Sequence, residues 1–460
     1  MTFLAESIKT GIGQGRRPRF PWRRALEFVP RLMVMFAVVS YAATRFRTRG
    51  IPEAAVYFRT WLVPRSVSGE TVVDDFFRQL PADLEPTENV VVGFTAVDVG
   101  LMNLFARRRR TETQIMAYGL LSVREVIGLF WDYLSTGLVQ IHQQCDLQGV
   151  DIRAYVNRSL LLDYLEFRSF EAYAEKHKCL KLIAHGVRAF VYVFENQSWE
   201  KACCATLRGH GIKLIGYQSS GFSPAYLNFF PNEQDARSDP MPDIVLTVGD
   251  RFSRYLLDHG HYRIPVRSFA ALRFAYEHDG VAYTTLGPNP SILGRILYAL
   301  PVQVEQYEAV IKDLVNVFGG SAIAVDVKVH PLYGPAAIGR GSPLPKNIRI
   351  VYDVDIDVLR DTYDCVLFND NSFGIEALLR GVKCHQYSRD GSRADERLLG
   401  FDLWPTTYSF ADLRRLRDEL VSGSYDKTFD RLAVSRYVNS MYRPYAVDAL
   451  REFQDLLKNA

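Results

Sequence analysis

Cysteine is scarce in this chain and poorly spaced for chemistry. Its six cysteines, Cys145, Cys179, Cys203, Cys204, Cys365 and Cys384, include no CxxC pair, and His142 with Cys145 has no second ligand pair after it. Neither a zinc site nor a disulfide framework is expected, and the thiols suit a reduced compartment as partly buried structural residues. Glycine signatures are missing too. Gly11-Ile-Gly13-Gln-Gly15 lacks a preceding strand and the GxGxxG spacing, and there is neither a GxSxG elbow nor a Walker loop. The dinucleotide fingerprint, the serine hydrolase and the P-loop NTPase thus lose the motifs that would carry them. No repeat with a period of about 20 to 50 residues and no low-complexity tract is visible. A composition 48% hydrophobic and 23% charged excludes a largely disordered, collagenous or coiled-coil protein.

What the chain does have is length and an uneven charge. Its 460 residues exceed what one core supports, which predicts two domains of roughly 150 to 230 residues each. The net charge is only +3, but the first fifty residues hold ten basic side chains against Glu6 and Glu27, a net of +8 that leaves −5 for the rest. The run Arg107 to Arg110 extends the basic character. Such asymmetry predicts an anionic partner, and nucleic acid or anionic lipid would both fit. Lipid is favoured because Leu32 to Thr44 is an apolar run of thirteen residues between Arg31 and Arg45. As a helix it measures about 20 Å against a hydrocarbon core of roughly 30 Å, too short to span alone. Two readings stand equal for it: a helix lying in the membrane interface with arginines at the headgroups, or a buried helix with a solvated basic flank. No cleavage signal is evident, so the chain is expected to be uncleaved and intracellular.

Helical and strand patterns alternate along the body. Asn89 to Gly93 reads as a first buried strand, and Leu160 to Lys178 as a helix followed by Leu180 to Ala184 and a strand at Ala189 to Phe194. Ser198, with Glu200 in the first turn, is the expected N-cap of a helix through Arg208. Gly209-His210-Gly211 then stops it before a strand at Lys213 to Tyr217, which completes a βαβ unit with parallel pairing. Ile244 to Val248 and a helix from Phe252 to Leu257 continue a doubly wound α/β domain. The turn-rich stretch 281–294 is the expected linker. The same grammar then restarts: strand Arg295 to Leu300, helix Val302 to Val317, strands Ala322 to Val329, Ile348 to Val351 and Cys365 to Phe368, helix Phe373 to Arg380, strand Lys383 to Tyr387. This predicts an N-terminal segment (1–50), a first domain (51–285), a second domain (286–430) and a C-terminal helix (431–460) that packs back on the first domain.

Ligands of open α/β sheets bind beyond the carboxyl ends of the strands. In the first domain those positions are Glu195, a candidate base or charge-stabilising carboxylate, and Gln218, Ser219 and Ser220, suited to a polyhydroxylated acceptor. Glu195 has a rival role as a carboxylate capping its own helix. In the second domain they are Lys328 and His330, then Asn371 and Ser372 at a helix N-terminus, with Glu376 one turn behind. Free N–H groups there and a donating His330 suit a phosphate, and Glu376 suits ribose hydroxyls. Asp353-Val-Asp355-Ile-Asp357 has the look of a metal-binding DxD, but its alternation fits a solvated strand end or helix start better. No metal ligands are assigned.

The segments FENQSWEKA (194–202), IGYQSSGF (215–222), PDIVLTVGD (242–250), ALRF (271–274), KVHP (328–331) and NSFGIEALLRG (371–381) resemble bacterial surface-carbohydrate and capsule glycosyltransferases of the GT-B fold. Order and spacing match over residues 55–390. The His-Pro element is similar to that of enzymes using CMP-activated ulosonic acids, the Kdo transferases and sialyltransferases. The resemblance implies two Rossmann-like domains facing a central cleft, a nucleotide-sugar donor on the second and a glycan acceptor on the first. It implies Glu195 as the leading catalytic residue, His330 at the donor phosphate and Asn371 and Ser372 at phosphate or cytidine. This chain has Ser219 where the family often shows histidine, and Asn371-Ser372 where it often pairs two serines.

The expected function is therefore metal-independent transfer of a CMP-activated ulosonic acid, Kdo by preference, onto a surface polysaccharide or glycolipid. The CMP-sugar is a substrate and no cofactor is expected. The expected location is cytoplasmic, peripheral to the inner face of the bacterial inner membrane, with no nucleic-acid partner. Rivals are a GT-B transferase using a UDP-sugar, GDP-sugar or polyol-phosphate donor, and a noncatalytic nucleotide-sugar-binding scaffold.

Overall fold

The computed structural model describes residues 22–273 and 291–458 apart from 49, 68, 97, 148–149, 220, 223–225, 302, 331–332, 334–342, 370, 372, 390–402 and 404–406. Most of the expected linker at 281–294 lies outside the described residues, as do Ser220 and Ser372.

The first domain is built on seven parallel strands: β1 (Val56–Trp61), β2 (Val90–Thr95), β3 (Gln114–Met116), β6 (Ala189–Val193), β7 (Lys213–Gln218), β8 (Ile244–Thr247) and β9 (Val266–Ser268). A two-stranded hairpin, β4 (Asp146–Leu147) and β5 (Val150–Asp151), stands apart. The sheet order is β3-β2-β1-β6-β7-β8-β9. The chain winds outward from β1 in one direction and resumes beside it at β6, with Val56 paired to both Val90 and Ala189. Strands covered by helices on both faces read as continuous apolar runs, as VVVGFT of β2 and AFVYV of β6 do, and every residue of both is buried.

The second domain repeats the plan with β10 (Arg295–Ala299), β11 (Ala324–Lys328), β12 (Ile348–Val351), β13 (Cys365–Phe368), β14 (Cys384–Tyr387) and β15 (Thr407–Tyr408). Its order is β12-β11-β10-β13-β14-β15, all parallel. Asp364 staples this domain by accepting from the N–H groups of Leu293 and Arg295 and pairing at 3.0 Å with the buried Lys427. The fold is α/β, with two doubly wound domains in tandem.

Several sequence expectations need correction. Leu160 to Lys178 is not one helix: Arg153–Leu165 and Phe170–Ala184 are separated by a bend in which Phe167 takes φ 62°, and Leu180 to Ala184 belongs to the second of them. The helix expected from Val302 begins at Tyr307 after a 3-10 turn at Val304–Gln306. Ser198 is the first helical residue rather than the cap; Gln197 caps, reciprocally with Glu200. The central strand β1 carries no strand expectation at all, because Arg59 interrupts its apolar pattern. The N-terminal helix runs from Trp22 to Arg45, 24 residues or about 36 Å, so the argument that it is too short to span fails. Its C-terminal half is instead claimed by the first domain, with Val39, Ala42 and Ala43 buried and Phe36 meeting Phe130 edge-on at 5.1 Å.

The chain ends in two helices rather than one, Arg431–Met441 and Val447–Lys458. Both pack on the first domain. Phe453 lies against Phe58 and Phe269, Tyr445 donates to Asp83 at 2.8 Å, and the backbone of Arg443 bonds Val248 and Ala271. The Arg431–Met441 helix also touches the Phe373–Leu379 helix of the second domain, so it bridges the two sheets. Gly249 makes this docking possible, since a Cβ there would lie 2.1 Å from the carbonyl oxygen of Met441. Gly249→Ala should therefore lower stability by about 1 to 3 kcal/mol, read as a lower urea midpoint. A midpoint equal to that of the native chain would show that the helix docks without this contact.

Candidate functional site

Every strand of each main sheet is parallel, so each sheet has one edge where all carboxyl ends emerge, and the point where winding reverses is where a ligand fits. In the first domain the reversal lies between β1 and β6, whose exits carry Arg65 and Glu195. In the second it lies between β10 and β13, whose exits carry Leu300 and Asn369 to Asn371, with Lys328 and His330 on the adjacent β11. The two domains share one hydrophobic core, in which Leu297, Ala299, Val366 and Phe368 of the second sheet cluster with residues of the first, and Arg65 and Arg273 of the first domain contribute to lowering the His330 pKa.

Glu195 is shaped by the loop beside it. The Glu200 carboxylate accepts the backbone N–H groups of Glu195, Asn196 and Gln197 at 2.9, 3.0 and 3.1 Å. Glu200, the third residue of the helix, thus ties down the turn that precedes it, and the N-cap position falls to Gln197, not to Glu195. Asn196 adopts φ 54° and donates to the carbonyl of Asn228 at 2.7 Å, while Asn228 returns a bond to the carbonyl of Glu195. The Glu195 side chain is held by Gln197, whose Nε2 donates to Oε2 at 2.5 Å and whose Oε1 accepts from the Trp199 indole at 3.2 Å. Burial raises the Glu195 pKa against the opposing pull of Arg59. A half-buried carboxyl with a raised pKa, anchored at a strand exit, has the properties of an acid–base group.

Gln218 and Ser219 are placed differently from a surface contact. Gln218 is fully buried, and its Oε1 accepts from the Val248 N–H at 3.3 Å, tying the ends of β7 and β8. Ser219 is 2% exposed. Among the expected acceptor residues, the two described ones therefore sit beneath the cleft floor.

On the opposite edge, Lys328 lies 5.2 Å from the centroid of the Phe373 ring. Glu376 is half-buried, and its field reaches both Lys328 and Arg65. Asn371 spends its side chain on the fold: Nδ2 donates to the carbonyls of Ala299 and Leu300 at 3.1 and 3.3 Å, and Oδ1 accepts from Phe373 N–H at 3.0 Å. It links the ends of β10 and β13 to the start of the helix. That helix packs so closely on β13 that a Cβ at Gly374 would fall 2.3 Å from the Phe368 ring. His330 is half-buried; burial, Lys328, Arg65 and Arg273 together push its pKa down to about 4. At neutral pH it is an uncharged imidazole, able to donate one N–H, rather than a cation. Asp353 and Asp355 are exposed ahead of the 3-10 turn Ile356–Val358, and among the described residues no three His, Cys, Asp or Glu side chains gather as metal ligands.

Sequence reading missed the arginines. Arg65, Arg78 and Arg273 converge on the buried Asp75; Arg273 lies in the ALRF segment (271–274) but was given no role there, and Arg65 and Arg78 belong to no recognisable spacing. The strand-exit rule finds Arg65 and Arg273 only once β1 and β9 are known to be strands.

Neither protein-family models nor curated protein sequences give a match to this chain. Solved structures do resemble it in fold. The glycosyltransferase SnogD from Streptomyces nogalater is 14% identical, with 89% of this chain and 100% of that one covered and a TM-score of 0.48. The glycosyltransferase VinC, in complex with dTDP, is 14% identical over 88% and 100% of the two chains, with a TM-score of 0.47. UDP-GlcNAc 2-epimerase from Neisseria meningitidis, bound to UDP-GlcNAc, is 8% identical over 88% and 100%, with a TM-score of 0.43.

The depressed His330 pKa has a definite sign. Between the ordinary 6.5 and about 4 the unfolded chain binds a proton at this site that the folded chain does not, so the fold is fully favoured above 6.5 and loses stability as pH falls through that window. The His330 imidazole NMR resonance should titrate near pH 4 in the ligand-free protein and shift upward when a phosphate anion binds. A midpoint near 6.5 without ligand would show that the cationic neighbours do not reach it.

Proposed function

We propose that this chain is a glycosyltransferase that carries its nucleotide-sugar donor on the second domain and its acceptor on the first. The observation that carries the reading is the meeting of two carboxyl edges at one cationic cleft, with Glu195 on one wall and Lys328 and His330 on the other. Lys328 supplies a point charge for a phosphate oxygen, and neutral His330 supplies a hydrogen bond that strengthens as the leaving phosphate gains charge. Glu195, with its raised pKa, takes the proton of the acceptor hydroxyl. Holding the hydroxyl against the anomeric carbon supplies much of the remaining rate.

The donor we propose is a CMP-activated ulosonic acid, Kdo by preference, passed to a surface polysaccharide or glycolipid. The excess of cations suits a sugar that keeps a carboxylate beside its single phosphate. The same charge count suits a diphosphate, which favours a UDP- or GDP-sugar as the second reading. Calorimetric titration with CMP, UDP and GDP at one salt concentration separates them. CMP should bind selectively and weaken at least about tenfold in His330→Ala, and Glu195→Gln should lower kcat by about 100-fold or more with nucleotide binding unchanged. Selective binding of UDP or GDP discards the CMP donor, and full turnover by Glu195→Gln removes its role.

We further propose that the enzyme works on an anionic lipid surface of the cytoplasmic membrane. Trp22, Leu26, Val29, Met33 and Val34 form an exposed stripe on the Trp22–Arg45 helix, and Val123, Ile127, Trp131 and Leu134 form another on the packed helix Val123–Thr136. Arg23 and Arg24, which share Glu27, flank the first stripe with a net positive charge, and the exposed Arg124 flanks the second, which suits anionic headgroups. Trp22→Ser with Trp131→Ser should cut partitioning onto phosphatidylglycerol vesicles by about tenfold or more per tryptophan. Sedimentation of the double variant at the native level, or a dimer that covers this face without lipid, overturns it.

A further inference from the structure

Gln197 stands between two groups that together fix the direction of its amide. An indole N–H can only donate, so Trp199, at 3.2 Å, takes the amide oxygen Oε1 and turns the NH2 group toward Glu195 Oε2, 2.5 Å away. Trp199 is itself 3% exposed, packed edge-on against Trp61 and Tyr192, with the Arg59 guanidinium 3.7 Å from its ring centroid. The Gln197 amide is therefore oriented from the interior of the first domain, although Gln197 lies on the surface.

The Glu195 backbone is held on both sides. Its N–H donates to Glu200 Oε1 at 2.9 Å, and its carbonyl accepts from Asn228, whose own carbonyl takes the Asn196 amide at 2.7 Å. What remains is Oε1 of Glu195, which has no hydrogen bond among the described residues. Oε2 already faces a donor, and a proton on that oxygen would meet the NH2 group of Gln197 head-on. A proton taken up by Glu195 thus settles on Oε1. The charged groups that act on this carboxyl are Arg59, which pulls its pKa down against burial, and Glu200, whose own pKa Glu195 raises.

Resting on the reading of Glu195 as the acid–base group, we propose that Gln197, oriented by Trp199, is a positioning residue that occupies Oε2 and reserves Oε1 for the proton of the acceptor hydroxyl. In the transfer step the acceptor O–H bond breaks as its oxygen bonds to the anomeric carbon, and the proton passes to Oε1. The bond from the anomeric carbon to the donor phosphate breaks at the same time, and its electron pair leaves on the phosphate. Gln197 acts only through Glu195: its N–H favours the ionised carboxylate before the step and fixes the direction in which Oε1 receives the proton.

Gln197 is also the N-cap of the helix Ser198–Leu207, so the test separates capping from positioning. Gln197→Asn supplies one of the best N-caps, yet one methylene shorter it cannot span Glu195 and Trp199. Gln197→Glu keeps the length and an acceptor for the indole but loses the donor, and Trp199→Phe keeps an aromatic ring but loses the N–H. The Glu195 carboxyl is followed by 13C NMR in full-length protein labelled at the glutamate side-chain carboxyl carbons, with Glu195→Gln as the reference. Its midpoint should rise by about half to one pH unit in Gln197→Asn and by more in Gln197→Glu, because each removes a donor to the ionised form. Trp199→Phe should give a smaller rise in the same direction. In Gln197→Asn kcat should fall about tenfold with the donor KM within about twofold, and the ascending limb of its pH profile should move up with the midpoint. A capping role alone would move the urea midpoint and leave the Glu195 titration in place, which overturns the proposal, as does a kcat unchanged in Gln197→Asn or a Glu195 midpoint unchanged in Trp199→Phe. If the midpoints shift as stated and the native chain transfers no sugar, the transferase reading falls and the positioning of the carboxyl stands.

Discussion

Burying a guanidinium inside a parallel sheet costs several kcal/mol of desolvation, of the order of any single stabilising feature in a domain, and the first domain is arranged around that cost. Arg59, on the central strand β1, is fully buried. Glu175 accepts its Nε at 2.9 Å and Glu171 its Nη2 at 3.2 Å, and both carboxylates are shared with buried Lys178 at 2.8 and 3.2 Å. Two cations and two anions thus balance in the interior. Burial alone would raise the Glu175 pKa, yet Lys178 and Arg59 outweigh it and hold the group below the usual carboxylate range. The planar guanidinium sits in the corner formed by the perpendicular rings of Trp61 and Trp199, 3.6 and 3.7 Å from their centroids. Tyr118 completes the set by donating to Glu171 at 3.0 Å.

The cluster does more than neutralise itself. It locks the Phe170–Ala184 helix to the sheet through Glu171, Glu175 and Lys178, and through Trp199 it seats the helix that follows Glu195. Trp199 in turn donates to Gln197, and Gln197 holds the Glu195 carboxylate. A path of contacts therefore runs from the middle of β1 to the Glu195 carboxylate. An arginine that interrupts a strand in sequence is, in the fold, what orients that residue.

The opposite wall relies on backbone geometry instead. Asn371 ties the exits of β10 and β13 to one helix start, and Gly374 lets that helix sit against Phe368. The bridging Arg431–Met441 helix holds both walls in one body. On the first-domain side, arginines from distant segments, Arg65, Arg78 and Arg273, gather on the buried Asp75. Burial together with Lys328, Arg65 and Arg273 keeps His330 uncharged at neutral pH.

Much of the fold was legible because strand and helix patterns are properties of neighbouring residues. The apolar runs at 90–95, 189–193, 213–218 and 365–368 and the glycine stop at 209–211 belong to single short windows, and so do the exits that carry Glu195, Lys328 and His330. The resemblance to GT-B enzymes likewise rested on local segments in order. What escaped was non-local. β1 looked unlike a strand because the partners that offset Arg59 lie more than a hundred residues away. Glu195 and Glu200 could exchange roles on paper, since only the turn geometry decides which carboxylate reaches three backbone N–H groups. Gln218 and Asn371 looked like ligand contacts until burial turned their amides inward. The arginine cluster joins positions 65, 75, 78 and 273, and only a parallel sheet that delivers β1 and β9 to one edge brings them to the same carboxylate. The amino-acid sequence by itself determined the alternation of strands and helices from β6 to β8 and from β10 to β14, and the residues at those strand ends. The tertiary structure alone decided which of them face the cleft, because charge balance and burial depend on neighbours that only folding supplies.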